Sequence, residues 1–159
     1  MPFTTDITVN RSFSTSAPFD RVFDLLADVA RSGSFFPGVE MLTPLGEGRW
    51  KWELERIGIG DYTLQQSVYA CRYVPDRNRG TVVWTPVEGT GNAVVEGSWT
   101  VETGEKGCRA ELYSKGSLEV NLPGFLEFLL APIIRLEFER LADQYVSNIE
   151  HELSRPSDR

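Results

Sequence analysis

The fold of this chain depends most on one stretch, from Leu122 to Leu153, which reads LPGFLEFLLAPIIRLEFERLADQYVSNIEHEL. Apolar residues recur in it at three- and four-residue steps, which predicts one helix with an apolar stripe. The stripe consists of Leu126, Leu130, Ile134, Phe138, Leu141, Tyr145, Ile149 and Leu153. The first half is apolar on other faces too, at Phe125, Phe128, Leu129, Ile133 and Leu136. Such a helix needs a sheet on one side and a cavity, a second protein layer or a partner surface on another.

One strand and two helical pieces are predicted at the start of the chain. Period-two alternation over residues 6–13 predicts the strand. Ser16 is a suitable N-cap and Pro18 suits a first turn, so a helix is expected from there to about Val29. A short helical piece over residues 31–35 should follow, and the Phe-Pro-Gly run after it should end that piece.

Six further strands are predicted between Val39 and Asn121, because short turns separate runs of alternating residues. Short turns between consecutive strands favour an antiparallel meander. Residues 62–74 are predicted as one long strand, with Tyr62 and Gln66 on one face and Tyr69, Cys71 and Tyr73 on the opposite face. Which of the two faces is the inner one stays open, and the site prediction takes the face of Tyr62 and Gln66. The prediction is therefore an α+β fold in which a curved seven-stranded antiparallel sheet carries two short helices after strand 1 and a long C-terminal helix packed across it.

Composition and charge exclude several classes of function. With 159 residues, the chain is expected to form one domain over residues 1–153 and a loose tail over 154–159. The net charge of −7 and the lack of a basic patch argue against nucleic acid as a partner. With neither a signal-peptide core nor an apolar stretch long enough for a transmembrane segment, a cytoplasmic protein is expected. Cys71 and Cys108 are expected as reduced thiols, although a single disulfide between them stays open.

Few residues could carry catalysis. The one histidine, His151, lies between two glutamates near the predicted helix end and is interpreted as a surface residue. A Ser-His-Asp or Cys-His arrangement is therefore not expected. No His, Cys, Asp or Glu cluster has metal spacing, so neither a metal nor another cofactor is predicted.

The chain resembles the START-like superfamily, also called SRPBCC or the Bet v 1-like helix-grip superfamily, from Ile7 to Leu153. The resemblance is carried by the order of elements and by STSAPFDRVFDLLADV (14–29), FFPGV (35–39), VPDRNRG (74–80) and the closing IEHEL. FPGV and the paired glycines at 58 and 60 are similar to the CoxG-like branch, and the polyketide cyclase/dehydrase branch is the other candidate. The resemblance implies a hydrophobic cavity between sheet and long helix, but no particular reaction, because the fold hosts both binders and enzymes.

Aromatic residues on the predicted inner faces mark the candidate ligand site. An aromatic wall with a few polar groups is what an apolar or aromatic ligand requires, although the four tryptophans could instead simply fill the core. The predicted ligand-binding residues are Trp50, Trp52, Tyr62, Gln66, Trp84, Trp99, Leu112 and Ser114 from the strands and Leu126, Leu129, Leu130 and Ile133 from the helix. Residues 124–138 are expected to form a lid over this cavity and residues from Ala142 onward a clamp, with a bend at Pro132.

Three functions stay open. The first is binding of a small hydrophobic or aromatic molecule (a lipid, a quinone or a polyketide-like compound) without catalysis. The second is a polyketide cyclase or dehydratase, for which the sequence offers no assignable acid and base pair. The third is a CoxG-like or Hsp90-activator-like interaction module, in which Phe125, Phe128, Leu129 and Ile133 would face a partner. The chain is expected as a monomer or a homodimer.

Overall fold

The computed structural model describes residues 2–59 and 62–156, and of residues 57–59 and 62–65 it describes the backbone alone. Within these ranges the elements are β1 (Phe3–Thr15), α1 (Phe19–Ala27), α2 (Val29–Gly33), β2 (Val39–Gly46), β3 (Arg49–Leu54), β4 (Ile57–Ile59), β5 (Tyr62–Gln65), β6 (Val68–Asp76), β7 (Thr81–Pro86), β8 (Ala93–Gly104), β9 (Gly107–Val120), a 3₁₀ turn (Gly124–Leu126) and α3 (Glu127–Ser154).

Seven of these strands form the predicted curved antiparallel sheet, in the spatial order β1-β9-β8-β7-β6-β3-β2. The first and last strands in sequence of this sheet, β1 and β9, pair along their length, from Phe3 opposite Val120 to Thr15 opposite Cys108. Burial alternates along β1, where Ile7 and Val9 are buried and Thr8 between them is exposed. One face therefore meets the core and the other meets water.

The segment predicted as one strand over residues 62–74 is instead two strands. The strand β5 ends at Gln65 and pairs only with β4, as a separate two-stranded sheet, whereas β6 begins at Val68. Between them, the carbonyl of Ser67 accepts a hydrogen bond from the backbone N–H of Leu54, and the N–H of Val68 donates to the side chain of Asn92. At this point a hydrogen bond to the side chain of Asn92 replaces the hydrogen bonds between strands. Alternation of period two in the sequence does not reveal this break.

The start of the first helix also differs from the prediction. Pro18, in an extended conformation (φ −72°, ψ 160°), precedes the first residue of α1, and no side chain caps that end. Ser16 is therefore not the N-cap. The hydroxyl of Thr15 accepts from the N–H of Ala17 instead and holds the turn before the helix. The helix ends at Ala27 because Asp28 caps α2, its side chain accepting from the N–H of Arg31 at 3.1 Å.

The helix α3 crosses the concave face of the sheet and lies closest to β1. Its predicted stripe is directed inward, since Leu130, Ile134, Leu141, Tyr145, Ile149 and Leu153 are all buried. Polar contacts hold its C-terminal end: the guanidinium of Arg21 donates to the carbonyl oxygens of Glu152 and Leu153, both at 3.1 Å. A cation at these carbonyls complements the helix dipole. Among the helices of the described ranges, none is long and apolar enough to cross a membrane.

Candidate functional site: an uncharged cavity beneath the long helix

A cavity of about 130 Å³ lies between the concave face of the sheet, α2 and α3. Its walls are aromatic and aliphatic side chains with a few hydroxyls. Among them are Ser32, Trp52, Ser67, Tyr69, Tyr73, Trp84, Trp99, Leu112, Ser114, Phe138, Ala142 and Tyr145. A concave, mostly apolar space with few polar groups is the usual form of a small-molecule site.

Tyr145 joins the long helix to the rest of the cavity wall. Its hydroxyl lies 2.6 Å from the hydroxyl oxygen of Ser32 on α2 and accepts from the indole N–H of Trp99 on β8 at 3.3 Å. The rings of Trp99 and Tyr145 also pack at 6.0 Å between centroids. All three side chains are buried, so these hydrogen bonds satisfy polar groups that have no access to bulk water.

A second aromatic group covers the strands on the other side of the cavity. Trp52 stacks on Tyr69, with ring centroids 6.0 Å apart and an interplanar angle of 11°, and its indole N–H donates to the hydroxyl of Tyr73 at 2.9 Å. Tyr73 in turn packs against Trp84 at 5.6 Å. Because each indole or phenol is held by a neighbouring ring, this wall is preorganised for an apolar or aromatic surface.

The cavity is electrically neutral. Among the described residues that line it, none is Asp, Glu, His, Lys or Arg. Burial raises the pKa of Tyr69 and Tyr73 well above 10, and burial raises that of Tyr145 against the opposing effect of its hydrogen bonds to Ser32 and Trp99. The phenols therefore stay protonated at neutral pH and act as hydrogen-bond donors and acceptors, not as bases.

Five of the predicted ligand-binding residues come together at this cavity. Trp52, Trp84, Trp99, Leu112 and Ser114 all line it. The strand alternation placed them correctly because each belongs to a strand with one wet face. Their role in binding a ligand stays a prediction.

The other predicted strand residues lie elsewhere. Trp50 is half-buried beside a small cluster that includes Trp52 and does not line the cavity. The side chain of Gln66 points to the carboxylate of Glu40 at 3.3 Å and to the carbonyl of Leu54 at 3.2 Å. The expected inner position of Gln66 is therefore wrong, and the side chain of Tyr62 lies outside the described part.

The helix contributes to the cavity further along than predicted. Leu129 and Ile133 are 54% and 38% exposed, so their expected cavity-facing position is wrong. Leu130 is buried in the core, Leu126 is partly buried against it, and neither lines the cavity. The lining residues of α3 are Phe138, Ala142 and Tyr145, the last two from the segment interpreted as a clamp. The first turns of the helix extend beyond the cavity, and periodicity cannot tell how far along an element the opposing surface lies.

The 3₁₀ turn and the first turns of α3 instead present an apolar surface outward. Phe125, Phe128 and Leu136 are 75%, 83% and 65% exposed. The helix runs without interruption through Pro132, which is itself exposed. Single apolar residues scattered over a surface are normal, whereas a cluster of exposed apolar side chains is unusual. The predicted lid is wrong, because of residues 124–138 only Phe138 lines the cavity, and the predicted bend stays a prediction.

Several cavity residues were missed by the sequence analysis. Tyr69 and Tyr73 were assigned to the face opposite Gln66, yet they line the cavity, together with Ser67. These odd-numbered positions share one face of the chain here, and a change of one residue in register exchanges the two faces of a strand. The aromatic side chains on that face were the available signal. Ser32 and Tyr145 were missed because only packing brings α2 beneath α3.

Both cysteines are free and buried, which resolves the open question of a disulfide in favour of reduced thiols. Burial raises the pKa of Cys71 to about 12, and its thiol donates to the carbonyl of Val95 at 3.3 Å. This thiol is therefore not a nucleophile at neutral pH. His151 is exposed on the last turns of α3. Within the described ranges, no group of three or more His, Cys, Asp or Glu side chains could hold a metal.

A seven-stranded antiparallel sheet, a long helix across it and a cavity between them define the START-like helix-grip class. The sequence matches the family model described as "Polyketide cyclase / dehydrase and lipid transport" over residues 15–150. Because this match spans most of the chain, the protein belongs to that family. No curated protein matches the sequence.

Solved structures support the same fold. A protein from Thermus thermophilus is 18% identical, with a TM-score of 0.68 and coverage of 93% of this chain and 96% of that one. The Zhui aromatase/cyclase from Streptomyces sp. R1128 is 18% identical, with a TM-score of 0.64 and coverage of 93% of both chains. A START superfamily protein from Mycobacterium smegmatis is 13% identical, with a TM-score of 0.61 and coverage of 92% and 96%. At these identities the likeness concerns the fold alone.

Proposed function

We propose that this protein binds a small, uncharged hydrophobic or aromatic molecule in the cavity between the sheet and α3. The observation that carries the proposal is a cavity of about 130 Å³ with aromatic walls and no charged side chain among its described lining residues. Transfer of apolar surface from water into such a space is favourable by roughly 25 cal/mol per Å². The family description, which includes lipid transport, supports the same class of ligand.

The volume limits what this conformation can hold. A dry apolar cavity of roughly 150 Å³ takes a molecule the size of benzene. The cavity therefore suits a single ring or a short branched chain. A lipid, a quinone with a tail or a polyketide-like chain would require the space between sheet and helix to widen.

A cavity-filling substitution tests the proposal. Gly116 lines the cavity, and a Cβ added there would meet only ordinary contacts, 3.5 Å from Val95 and 3.7 Å from the carbonyl of Val94. Gly116→Leu should fill the space and abolish the thermal shift that benzene or toluene produces in the natural protein. Lys115→Leu adds the same side chain at the adjacent exposed position of β9 and is the control.

The outcomes of this experiment are distinct. Loss of binding in Gly116→Leu, with binding kept in Lys115→Leu, supports the cavity as the ligand site. Equal binding by both variants would place the ligand elsewhere, and no binding of any neutral aromatic by the natural protein would contradict the proposal.

A polyketide cyclase or dehydratase is the second candidate. The family description and the likeness to an aromatase/cyclase favour it. The cavity could orient a reactive ketone chain through its phenols and serines, and orientation alone contributes to such reactions. The described lining residues, however, include no carboxylate or imidazole that could act as a base at neutral pH.

The two candidates separate in one assay. A poly-β-ketone thioester mimic should cyclise at its uncatalysed rate and to its uncatalysed product mixture if the protein only binds. A changed product ratio that Tyr73→Phe abolishes, while benzene binding persists, would favour the enzyme.

A further inference from the structure

One hydroxyl in the cavity wall has no protein partner. Ser67 is 2% exposed and lines the cavity, and its Oγ makes no hydrogen bond within the described part of the chain. Buried hydroxyls are nearly always paired, because an unpaired one has lost its hydrogen bonds to water without replacement. An unpaired hydroxyl on the wall of this cavity is therefore available to pair with a group that enters the cavity.

The backbone on both sides of Ser67 is held by one side chain. The Oδ1 of Asn92 accepts from the N–H of Val68 at 2.9 Å, and its Nδ2 donates to the carbonyl of Gln66 at 2.8 Å. The N–H of Asn92 also donates to the carbonyl of Val68 at 3.0 Å. Leu54 completes the arrangement, its N–H donating to the carbonyl of Ser67 at 3.0 Å. Four hydrogen bonds thus fix the residue that carries the free hydroxyl, as preorganised binding groups require.

The turn that supplies Asn92 is built for this close approach. Gly91 has a φ of +73°, and a Cβ there would lie 2.0 Å from the carbonyl oxygen of Val68. Only glycine permits both the backbone angle and the contact. The carbonyl of Asn92 is held in turn by the N–H of Glu119 at 2.8 Å. The glycine-rich turn therefore positions Ser67.

Three other hydroxyls of the cavity wall are engaged within the protein. Tyr145 and Ser32 bond each other, and Tyr73 accepts from Trp52. The second buried hydroxyl without a partner in the described ranges, on Thr5, does not line the cavity. Among the described residues that line the cavity, Ser67 is the one with a buried hydroxyl that lacks a hydrogen-bond partner.

We infer that Ser67 is the polar anchor of the ligand site, and that the site takes an uncharged, mostly apolar molecule carrying a hydroxyl or carbonyl oxygen. This inference rests on the proposed function. A phenol or a ketone pairs with Ser67 and fills the remaining space with apolar surface. A carboxylate is excluded, because no described lining residue supplies a counter-charge to compensate its desolvation.

Three probes that share one six-membered ring test the inference by isothermal titration calorimetry: benzene, phenol and benzoate. The proteins are the natural chain, Ser67→Ala and Thr5→Val, which removes the orphan hydroxyl outside the cavity lining. Loss of one hydrogen bond should weaken phenol binding about threefold to tenfold in Ser67→Ala. Benzene binding should change less than about twofold, and benzoate should not bind. Thr5→Val should bind all three probes as the natural chain does.

Each contrary result has its own meaning. Failure of the natural chain to bind either benzene or phenol would overturn the proposed function. Binding of benzene with unchanged phenol affinity in Ser67→Ala would overturn the anchor alone. Equal weakening of phenol in Thr5→Val would do the same, since the loss would then be a general effect on the fold. Benzoate binding as tight as phenol would overturn the uncharged ligand class.

Discussion

Removal of the Tyr145 hydroxyl should destabilise the protein far more than its single oxygen atom suggests. Tyr145→Phe keeps the ring and its packing but leaves two buried groups unpaired, the hydroxyl of Ser32 and the indole N–H of Trp99. Ser32 is 5% exposed and Trp99 is 1% exposed, so water cannot replace the lost partner. An orphaned buried group costs about 1–3 kcal/mol, and the longer Trp99 bond of 3.3 Å should contribute at the low end.

The expected loss is therefore about 2–4 kcal/mol in the free energy of unfolding. For a chain of this length it corresponds to a fall in Tm of roughly 4–16 °C. Urea unfolding followed by tryptophan fluorescence measures it, with an unchanged m-value as the sign that the folded state is intact. Tyr113→Phe, on the exposed side of β9, is the matched control and should change the free energy of unfolding by less than about 0.5 kcal/mol.

A double-mutant cycle sharpens the prediction. In Tyr145→Phe with Ser32→Ala, no hydroxyl is left orphaned on α2, so the two losses should be non-additive by about 1 kcal/mol or more. Additive losses would show that the 2.6 Å contact between the hydroxyls of Ser32 and Tyr145 contributes nothing to stability. A loss below about 0.5 kcal/mol in Tyr145→Phe would show the same.

Three further changes follow from the same structure. Gly91→Ala should lower the free energy of unfolding by about 1–3 kcal/mol more than Gly89→Ala in chemical denaturation. Both glycines have positive φ, but only Gly91 lies against the carbonyl of Val68. Equal losses of stability would show that φ alone matters. Stability should fall as pH rises above 9, because the thiol of Cys71 loses its proton near pH 9.0 in the unfolded chain but keeps it up to about pH 12 in the folded protein. Cys71→Ala should reduce the slope of the free energy of unfolding against pH by the equivalent of one proton. An unchanged slope would contradict the effect of burial on this thiol. Phe128→Ser should cost less than about 0.5 kcal/mol and Ile134→Ala about 2–5 kcal/mol, and a similar cost for both would mean that another surface covers Phe128.

In the proposed ligand site, the absence of charge from the described cavity wall favours uncharged molecules by excluding charged ones. A charged group entering the space would lose its hydration and gain no counter-ion, which is more costly than the loss of any one hydrogen bond. The outer face of the sheet and the ends of the helices carry the charges instead, in surface pairs such as Arg31 with Glu152 at 3.1 Å. Such pairs contribute little to stability but keep ionic groups away from the interior.

Much of the fold was predictable because it depends on local periodicity. The three- and four-residue spacing in α3 correctly predicted which side chains are buried, among them Ile134 and Ile149. The two-residue alternation of the strands placed Trp84, Trp99 and Leu112 on the cavity side. Periodicity was sufficient here because all residues on one face of a regular element share an environment.

Other features depend on which part of the chain packs opposite each element. Contacts between residues far apart in the sequence determine this. The apolar start of α3 looked like the lid of a cavity, yet Phe128 is exposed, and the cavity meets the helix at Phe138 and Tyr145. Ser67 gave no signal of its own, because the backbone on both sides of it is held by Asn92, 25 residues further along the chain. A cavity is the space that packed elements leave between them, so the sequence determined the faces that could line it, and the packing of α3 on β1 determined where along those faces it lies.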